Sequence, residues 1–394
     1  MNGRMRLAAT GFVIVIIAAL ALNRNFYNQS ASDLFFSITL ACTSIVFFYV
    51  RPLAEALHVL AVATLLVVLQ LTALRMPPRI APALALWGVS SLALLAWRRI
   101  RPGDAEDRKL LHYAFLPPLL LVLLGYVGSV WLAIADRLHP KTFDMFLYNF
   151  DASMGMQPSF KAGQFVLPSR WLTRIALLFY FALPVPVMLV YAQQLVRRRS
   201  TALIVFLGFF IAGPVAVVFY NLLPACGPIY LFGSKFPFAP LTTLQAKEML
   251  VQSVPVSGLR NAFPSLHLAW AVLACWYAVG LSRWTKLFLL IFLAGTTLAT
   301  LGLGEHYFID LVAAFPFALM IRAGCALHTP WTDRRRLIPL LSGTLLLLGW
   351  IALLRYGLRI VWVSQLVPWT LVGCTIVSCL ALNRKLQGAL PDRL

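Results

Sequence analysis

The sequence predicts an all-α fold, a polytopic membrane bundle of about 12 transmembrane helices. Its 394 residues are 61 % hydrophobic and only 12 % charged, whereas soluble domains carry about a quarter charged residues. Apolar runs of about 18 residues or more recur along nearly the whole chain, and each can cross a hydrocarbon core of about 30 Å as a helix. Helices satisfy their own backbone hydrogen bonds, as lipid requires.

The predicted spans follow one another closely, except at two longer connections. They lie near residues 6–23, 33–50, 57–75, 80–97, 113–135, 171–194, 201–223, 262–281, 286–303, 305–327, 337–356 and 360–382. The connection at residues 136–170 mixes aromatic and charged side chains, which suits a helix that lies in the membrane interface. The connection at residues 224–259 contains several prolines and glycines, which predicts an irregular loop.

These runs divide the chain into three predicted domains. Residues 1–112 form an N-terminal transmembrane bundle, residues 113–330 form the catalytic membrane domain with its interfacial segment, and residues 331–394 form a C-terminal helix pair. One set of alternate loops carries about twenty Lys and Arg residues and the other about thirteen, so the positive-inside rule places both termini in the cytoplasm. We expect a multi-pass protein of a bacterial inner membrane whose active site faces the periplasm or the outside.

The net charge of +20 does not indicate a nucleic-acid partner, because Lys and Arg are scattered between apolar runs instead of lining one face. Membrane topology accounts for them better. Of the six cysteines, five fall inside apolar runs without C-x-x-C spacing, so we interpret them as small core residues. The role of Cys226 stays open.

Two polar segments at the ends of apolar runs give the strongest functional signal. Residues 260–267 read Arg-Asn-Ala-Phe-Pro-Ser-Leu-His, and residues 305–310 read Glu-His-Tyr-Phe-Ile-Asp. Ionisable groups are costly within a membrane and mark functional sites by default. Two crossings separate the two predicted helix starts, so His267 and His306 return to the same face. Their placement indicates phosphoryl chemistry at a membrane surface.

Spacing assigns roles to three of these residues. Asp310 follows His306 by four positions, which puts both side chains on one helix face. The carboxylate can accept one imidazole N–H and leave the other ring nitrogen as a nucleophile. His267 stands at a predicted helix N-terminus and can protonate a leaving oxygen. The alternatives are a structural His–Asp pair and an interfacial or structural His267.

Phosphate binding has two candidates nearby. Helix N-termini favour phosphate, and Ser265 adds a hydroxyl there. Arg260 is the nearest permanent cation and can grip phosphate oxygens, although an arginine reaching for the interface is an equal interpretation. Two histidines and one aspartate would also suit zinc, but the basic surroundings and the phosphate-type helix ends argue for no metal.

Residues 264–267 and 306–310 resemble the second and third motifs of the type 2 phosphatidic acid phosphatase (PAP2) superfamily. The phrases around them, together with Asn-Leu-Leu-Pro-Ala-Cys-Gly-Pro at residues 221–228, are similar to the branch that contains inositolphosphotransferases of the Aur1/Ipt1 type. The resemblance covers about residues 140–330 and implies a six-helix membrane core.

The resemblance also implies a mechanism. His306 would attack phosphorus and form a phosphohistidine, Asp310 would orient His306, and His267 would protonate the departing oxygen. Ser265 would help to hold the phosphate. No metal and no organic cofactor is implied.

The chain departs from the superfamily pattern at two cation positions. The first motif, a Lys followed at a distance by Arg-Pro, is absent in its usual form, and residues 224–228 take its place. Ala299 and Thr300 stand where a Ser-Arg pair often opens the third motif. We therefore predict Arg260, Ser265 and Gly227 as phosphate-binding residues, and simple phosphatidate hydrolysis becomes less favoured.

These observations lead us to expect a phosphotransferase that acts between a lipid phosphate donor and an alcohol or polyol acceptor. Hydrolysis of a polyprenyl or glycerolipid phosphate by water is the alternative within the same chemistry. A lipid transporter or flippase would also have about twelve helices, but no inverted repeat is visible in the sequence. A catalytically inactive scaffold is the remaining alternative.

Overall fold

The computed structural model describes residues 10–14, 16–17, 31–72, 80–100 and 104–387. The structure is 79 % helical, and is nearly all-α as predicted. In chain order its elements are α1 (Ala31–Val50), α2 (Leu53–Thr72), α3 (Ile80–Ile100), α4 (Ala105–Leu138), β1 (Lys141–Thr142), α5 (Asp144–Ser153), α6 (Pro158–Val166), α7 (Arg170–Phe181), α8 (Pro184–Arg197), α9 (Arg199–Leu222), α10 (Pro228–Phe232), a 3-10 turn (Gly233–Lys235), α11 (Thr243–Glu248), β2 (Val254–Pro255), α12 (Leu266–Tyr277), α13 (Arg283–Gly302), α14 (Phe308–Gly324), α15 (Arg334–Tyr356), α16 (Leu358–Val361) and α17 (Leu366–Gln387).

Among the described residues, six helices are long and apolar enough to cross a membrane, namely α3, α4, α9, α13, α15 and α17. The number rises to seven if the bent pair of α7 and α8 is one broken span. These helices are those of an integral, multi-pass membrane protein. The predicted count of about twelve spans and the six-helix core are not confirmed. The first predicted run, near residues 6–23, lies mostly outside the described residues.

Helix α12 shows why apolar runs overstate the number of spans. The predicted run covers residues 262–281, but α12 has only 12 residues. Its length is therefore about 18 Å, which is short of a hydrocarbon core of about 30 Å. The helix begins after Ser265, whose Oγ accepts a hydrogen bond from the Leu268 N–H. The apolar residues on both sides of α12 belong to turns. Composition alone does not distinguish an apolar turn from an apolar helix.

One compact unit comprises Met1–Ser129, Phe181–Phe210 and Gly280–Thr285. Within it, α1 packs against α3 and α8, and α2 packs against α3. Gly88 lies directly against the Leu40 carbonyl, where a Cβ would clash. Ser44 and Ser91 share a hydrogen bond of 2.7 Å. Small residues that let backbones approach are typical of helix contacts in membranes.

The other unit comprises Val130–Tyr180, Ile211–Val279 and Lys286–Leu394. Helix α14 is its central element and packs against α5, α12, α15 and α17. A Cβ at Gly343 of α15 would lie only 2.7 Å from the Pro316 carbonyl oxygen, so α15 and α14 approach closely. Strands β1 and β2 pair in antiparallel fashion. All six predicted site residues belong to this unit, while the three predicted domains stay a prediction.

The segment predicted as an interfacial helix forms two short helices, α5 and α6. A helix in the membrane interface would leave its charged residues accessible, but Asp144 and Asp151 of α5 are fully buried. They lie seven positions apart, about two helical turns, and so share one face. Both carboxylates accept backbone hydrogen bonds from distant segments, which explains how two acids tolerate burial.

Candidate active site

His306 lies in the turn between α13 and α14 and is 2 % exposed. Its Nδ1 is 3.0 Å from the Ala262 carbonyl oxygen and 3.4 Å from Asp310 Oδ2. Because a carbonyl oxygen only accepts, Nδ1 carries the proton and donates to Ala262. The other nitrogen, Nε2, then keeps its lone pair and lies 3.1 Å from Ser265 Oγ. This is the tautomer that a nucleophilic histidine requires.

Electrostatics favour the same state of the His306 ring. Burial, and to a lesser degree the neighbouring His267, lower the pKa of His306 to about 3. The ring is therefore neutral near pH 7. A neutral imidazole with a free lone pair can attack phosphorus, whereas an imidazolium cannot.

Asp310 is the third residue of α14 and lies beside His306. Because His306 precedes the helix, the two residues do not share a face of one helix as predicted. Its Oδ2 accepts a hydrogen bond of 2.8 Å from the Tyr307 N–H. Its Oδ1 is buried and makes no hydrogen bond to a described residue. The Ala262 carbonyl is closer to His306 Nδ1 than the carboxylate is, so the backbone takes a share of the orienting task. The orienting role of Asp310 stays a prediction.

His267 is the second residue of α12, and its ring centroid lies 6.3 Å from that of His306. The face of the His267 ring stacks on Tyr180, with centroids 4.1 Å apart and an angle of 22°. The structure thus brings the rings of His267 and His306 close together, and their joint action on one phosphorus atom stays a prediction.

Ser265 links the two histidine-bearing segments and is fully buried. Its N–H donates to the Asp310 carbonyl oxygen at 3.1 Å, which ties the start of α12 to the start of α14. Its hydroxyl lies beside His306 Nε2 at a helix N-terminus, where backbone N–H groups favour anions. A phosphate contact by Ser265 stays a prediction.

Arg260 enters a different set of contacts from the histidines. Nε and Nη2 donate to the His139 carbonyl oxygen at 3.1 and 2.9 Å. Nη1 donates to the Gly258 carbonyl and lies 2.5 Å from Asp136 Oδ1. The side chain is 3 % exposed. Among the described residues, Arg260 contacts neither His267 nor His306, so the structure supports an anchoring role for Arg260. Its phosphate contact stays a prediction.

Gly227 lies where its backbone closely approaches the backbone of Glu305. Its φ of +125° is a conformation that L side chains rarely adopt, and a Cβ there would lie 2.5 Å from the Glu305 carbonyl oxygen. Its N–H donates to Asp144 Oδ1 at 2.8 Å. The structure therefore explains the glycine by the turn that precedes His306, and phosphate binding by Gly227 stays a prediction.

Asp144 of α5 was not singled out by the sequence, yet it holds the loop that contains Gly227. Its carboxylate accepts the N–H groups of Cys226 and Gly227 and the hydroxyl of Tyr307 at 3.1 Å. Burial raises the pKa of Asp144, and these donors act in the opposite direction. The carboxylate joins the loop before α10 to the residue that follows His306.

Asp151 supports the same turn from the other end of α5. Its two oxygens accept the N–H groups of Phe308 and Ile309 at 2.7 and 3.2 Å. The first N–H groups of a helix have no partner within the helix, so Asp151 caps α14 from outside and adds negative charge at its N-terminus. Burial raises the pKa of Asp151 to about 7. Ser159 of α6 adds a hydrogen bond of 2.8 Å to the His306 carbonyl.

Glu305 connects the two histidine-bearing segments through tyrosines. Its carboxylate accepts the Tyr230 hydroxyl at 3.2 Å and is also hydrogen-bonded to Tyr180, the residue that stacks on His267. Burial raises the pKa of Glu305 to about 7. Sequence reasoning missed Tyr180 and Tyr230, because they lie far from both motifs along the chain.

This arrangement can perform nucleophilic chemistry at phosphorus. The neutral imidazole of His306 lies 3.1 Å from the Ser265 hydroxyl at a helix N-terminus, and the ring of His267 lies nearby, with centroids 6.3 Å apart. Within the described residues, no group of three or more His, Cys, Asp or Glu side chains is placed to hold a metal ion.

Comparison with known proteins bears on this region. Residues 145–323 match a family model described as PAP2 superfamily, and the match contains the two histidines and Asp310. No curated protein and no solved structure matches the chain. The match supports the resemblance at the level of the superfamily, and nothing in the comparisons supports the branch of the Aur1/Ipt1 type.

Proposed function

We propose that this chain is a membrane enzyme that cleaves a lipid phosphoester or phosphodiester through a phosphohistidine on His306. The superfamily match and the apolar helices fit a membrane phosphatase or phosphotransferase. The observation that carries the proposal is the state of His306, whose Nδ1 donates to Ala262 while Nε2 keeps a lone pair that accepts the Ser265 hydroxyl and that a phosphorus atom would take over.

In the first step, His306 Nε2 forms a bond to phosphorus while the bond to the leaving oxygen breaks. Burial lowers the pKa of His267 to about 4 in the protein without substrate, so this step requires the negative charge of the bound phosphate to stabilise the protonated ring. The protonated His267 then gives its proton to the leaving oxygen, and a neutral alcohol departs. The positive charge on the His306 ring is stabilised by the Ala262 carbonyl and the nearby Asp310 carboxylate. In the second step, His267 takes the proton of the incoming hydroxyl, whose oxygen bonds to phosphorus as the N–P bond breaks.

We further propose that the acceptor is an alcohol or polyol and that the reaction takes place at the outer membrane face. Support for transfer is the burial of the nucleophile, since His306 is 2 % exposed and a site that excludes water protects a phosphoenzyme from hydrolysis. Support for the outer face is the excess of Lys and Arg in the alternate loops.

The test uses purified protein and lipid phosphates labelled at phosphorus, with and without an alcohol acceptor. We expect the wild type to form a labelled transfer product only with the alcohol, and to carry a label that is acid-labile and alkali-stable, as phosphohistidine is. His306→Ala and His267→Ala should lose turnover, while His328→Ala, which changes an exposed histidine outside the site, should retain it.

Two outcomes decide against parts of the proposal. Release of inorganic phosphate at the same rate with and without alcohol identifies a phosphatase. Equal turnover by the wild type and both active-site variants removes the catalytic role of the histidines altogether.

A further inference from the structure

A long apolar cleft lies between α15 and α17, outside the residues that match the superfamily. Its volume is about 920 Å³, and its walls include Leu346, Trp350, Leu353 and Leu371. The one polar side-chain atom of Trp350 already donates to Thr375 Oγ1 at 3.2 Å. The cleft therefore offers hydrocarbon contact along most of its length and suits an apolar chain.

One end of this cleft is strongly basic. An adjoining cavity of about 380 Å³ is lined by Arg334 and Arg335 of α15 and by Arg384 and Lys385 of α17. Leu382 lines both cavities, so the apolar cleft continues into the basic one. Four cations from two helix ends thus lie at the foot of a hydrocarbon-lined groove.

These four cations have little negative charge around them. Asp333 is the one acidic residue between positions 311 and 387, and its carboxylate accepts the backbone N–H of Arg335 at 2.7 Å. Within the described residues, none of the four side chains forms an ion pair. All four side chains are exposed. An anion bound there would meet positive charge that is not already neutralised.

Arg336 differs from the preceding Arg334 and Arg335, because its side chain has a structural role. It is 2 % exposed and donates to the carbonyls of Ala323, Gly324 and Thr329. It therefore satisfies carbonyl groups at the end of α14. Only the exposed cations are available to a ligand, so Arg336 is left unchanged in the variants below.

We propose that this cleft binds an anionic phospholipid of the surrounding membrane as a structural ligand, separate from any substrate. The headgroup phosphate lies on the four cations and an acyl chain follows the apolar wall between α15 and α17. Basic pockets between membrane helices bind anionic headgroups, and charge complementarity together with the continuous apolar groove selects a lipid over a soluble anion. The volume also falls in the usual range for ligand cavities of about 300–1,000 Å³.

Lipid binding to the purified full-length protein in detergent tests the proposal, by native mass spectrometry with phosphatidylglycerol and phosphatidylcholine of matched chains. We expect the wild type to favour phosphatidylglycerol at least about tenfold, because each basic residue near a membrane surface contributes about 1 kcal/mol, or about fivefold. The fourfold variant Arg334→Gln/Arg335→Gln/Arg384→Gln/Lys385→Gln should lose this preference. Soluble glycerol phosphate should bind far more weakly than the lipid.

Two further variants separate the headgroup from the acyl chain. A Cβ at Gly349, which lines the apolar cleft, meets nothing within 4 Å, so Gly349→Leu fills the groove and should weaken both lipids without changing the preference. Arg359→Gln removes an exposed cation that does not line either cavity and should leave binding unchanged.

Smaller variants cover the case in which the fourfold change prevents folding. Arg334→Gln/Arg335→Gln and Arg384→Gln/Lys385→Gln should each reduce the preference severalfold. A preference that survives in both pairs, or lipid binding that Gly349→Leu leaves intact, would overturn the proposal. Loss of the preference in Arg359→Gln would do the same, because it would show a non-specific effect of net charge.

Discussion

The two histidine-bearing segments of the candidate site are held in different ways. His306 is 2 % exposed, both of its ring nitrogens lie within hydrogen-bond distance of protein atoms, and Ser159 binds its carbonyl. His267 is half-buried and lies with the face of its ring on Tyr180. An attacking ring needs one tautomer and one orientation, whereas a ring that passes protons must reach a leaving group and an incoming hydroxyl.

Replacing the attacking ring should have the largest effect. His306→Ala removes the atom that we propose bonds to phosphorus, so we expect turnover to fall by more than about 10⁴-fold and the phosphoenzyme to disappear. The loss should be the same for every leaving group, because no substrate can compensate for a missing nucleophile. Single-turnover assays with labelled lipid measure both quantities, and a phosphoenzyme in this variant would contradict the assignment.

Replacing the second ring should have a smaller and selective effect. A general acid contributes about 10²–10⁴-fold, so His267→Ala should lose that much with a lipid alcohol as leaving group. With a nitrophenyl phosphate the loss should shrink to about tenfold or less, because a nitrophenolate leaves without protonation. Initial rates with both substrates measure this difference. An equal loss of turnover with both substrates would contradict the proposed role of His267 as a general acid.

Replacing Asp151 tests whether its carboxylate stabilises the turn that contains His306. Asp151→Ala leaves the Phe308 and Ile309 N–H groups buried without their acceptor, and an unsatisfied buried donor costs about 1–3 kcal/mol. We expect a melting temperature several degrees lower, together with reduced turnover. Asp104→Ala, which changes an exposed aspartate, serves as the control and should shift neither. An unchanged melting temperature for Asp151→Ala would show that α14 does not need this cap.

The smallest expected effect concerns Glu305, which lies between the two segments. Its pKa is raised by burial from 4.5 to about 7, so the folded protein holds this proton more tightly than the unfolded chain does. The associated stability is present below about pH 4.5 and is lost as the pH rises to about 7. In Glu305→Gln this dependence should vanish, so the wild type should lose melting temperature relative to the variant between pH 5 and pH 8. If the melting temperatures of the wild type and Glu305→Gln changed in parallel with pH, the raised pKa of Glu305 would be contradicted.

Part of the site could be predicted because it depends on local spacing. The meeting of the two histidines is not part of this, because α12 is too short to be one of the two predicted crossings. His306 and Asp310, by contrast, are only four positions apart, so they lie close together even though His306 precedes α14. The helical class likewise follows from composition, since lipid admits few alternatives. These features need no knowledge of distant contacts.

The remaining features depend on partners that the sequence does not pair. Asp151 receives hydrogen bonds from residues more than 150 positions away, and those donors are backbone N–H groups with no signature in the sequence. Arg260 donates its hydrogen bonds to the carbonyls of His139 and Gly258. Its position beside the motif does not indicate these partners. The pattern that could have indicated the role of α5 is the seven-residue spacing of Asp144 and Asp151, which places two acids on one face of the helix.

Helix α5 gives the candidate site a common foundation. Asp144 and Asp151 are two turns apart, about 10 Å along the axis, and one grips the Gly227 loop while the other grips the first turn of α14. If α5 tilts or slides as a rigid rod, both attached segments travel with it and their mutual spacing is preserved. Loss of either carboxylate would release one segment from the other, so the spacing of the candidate site depends on both acids.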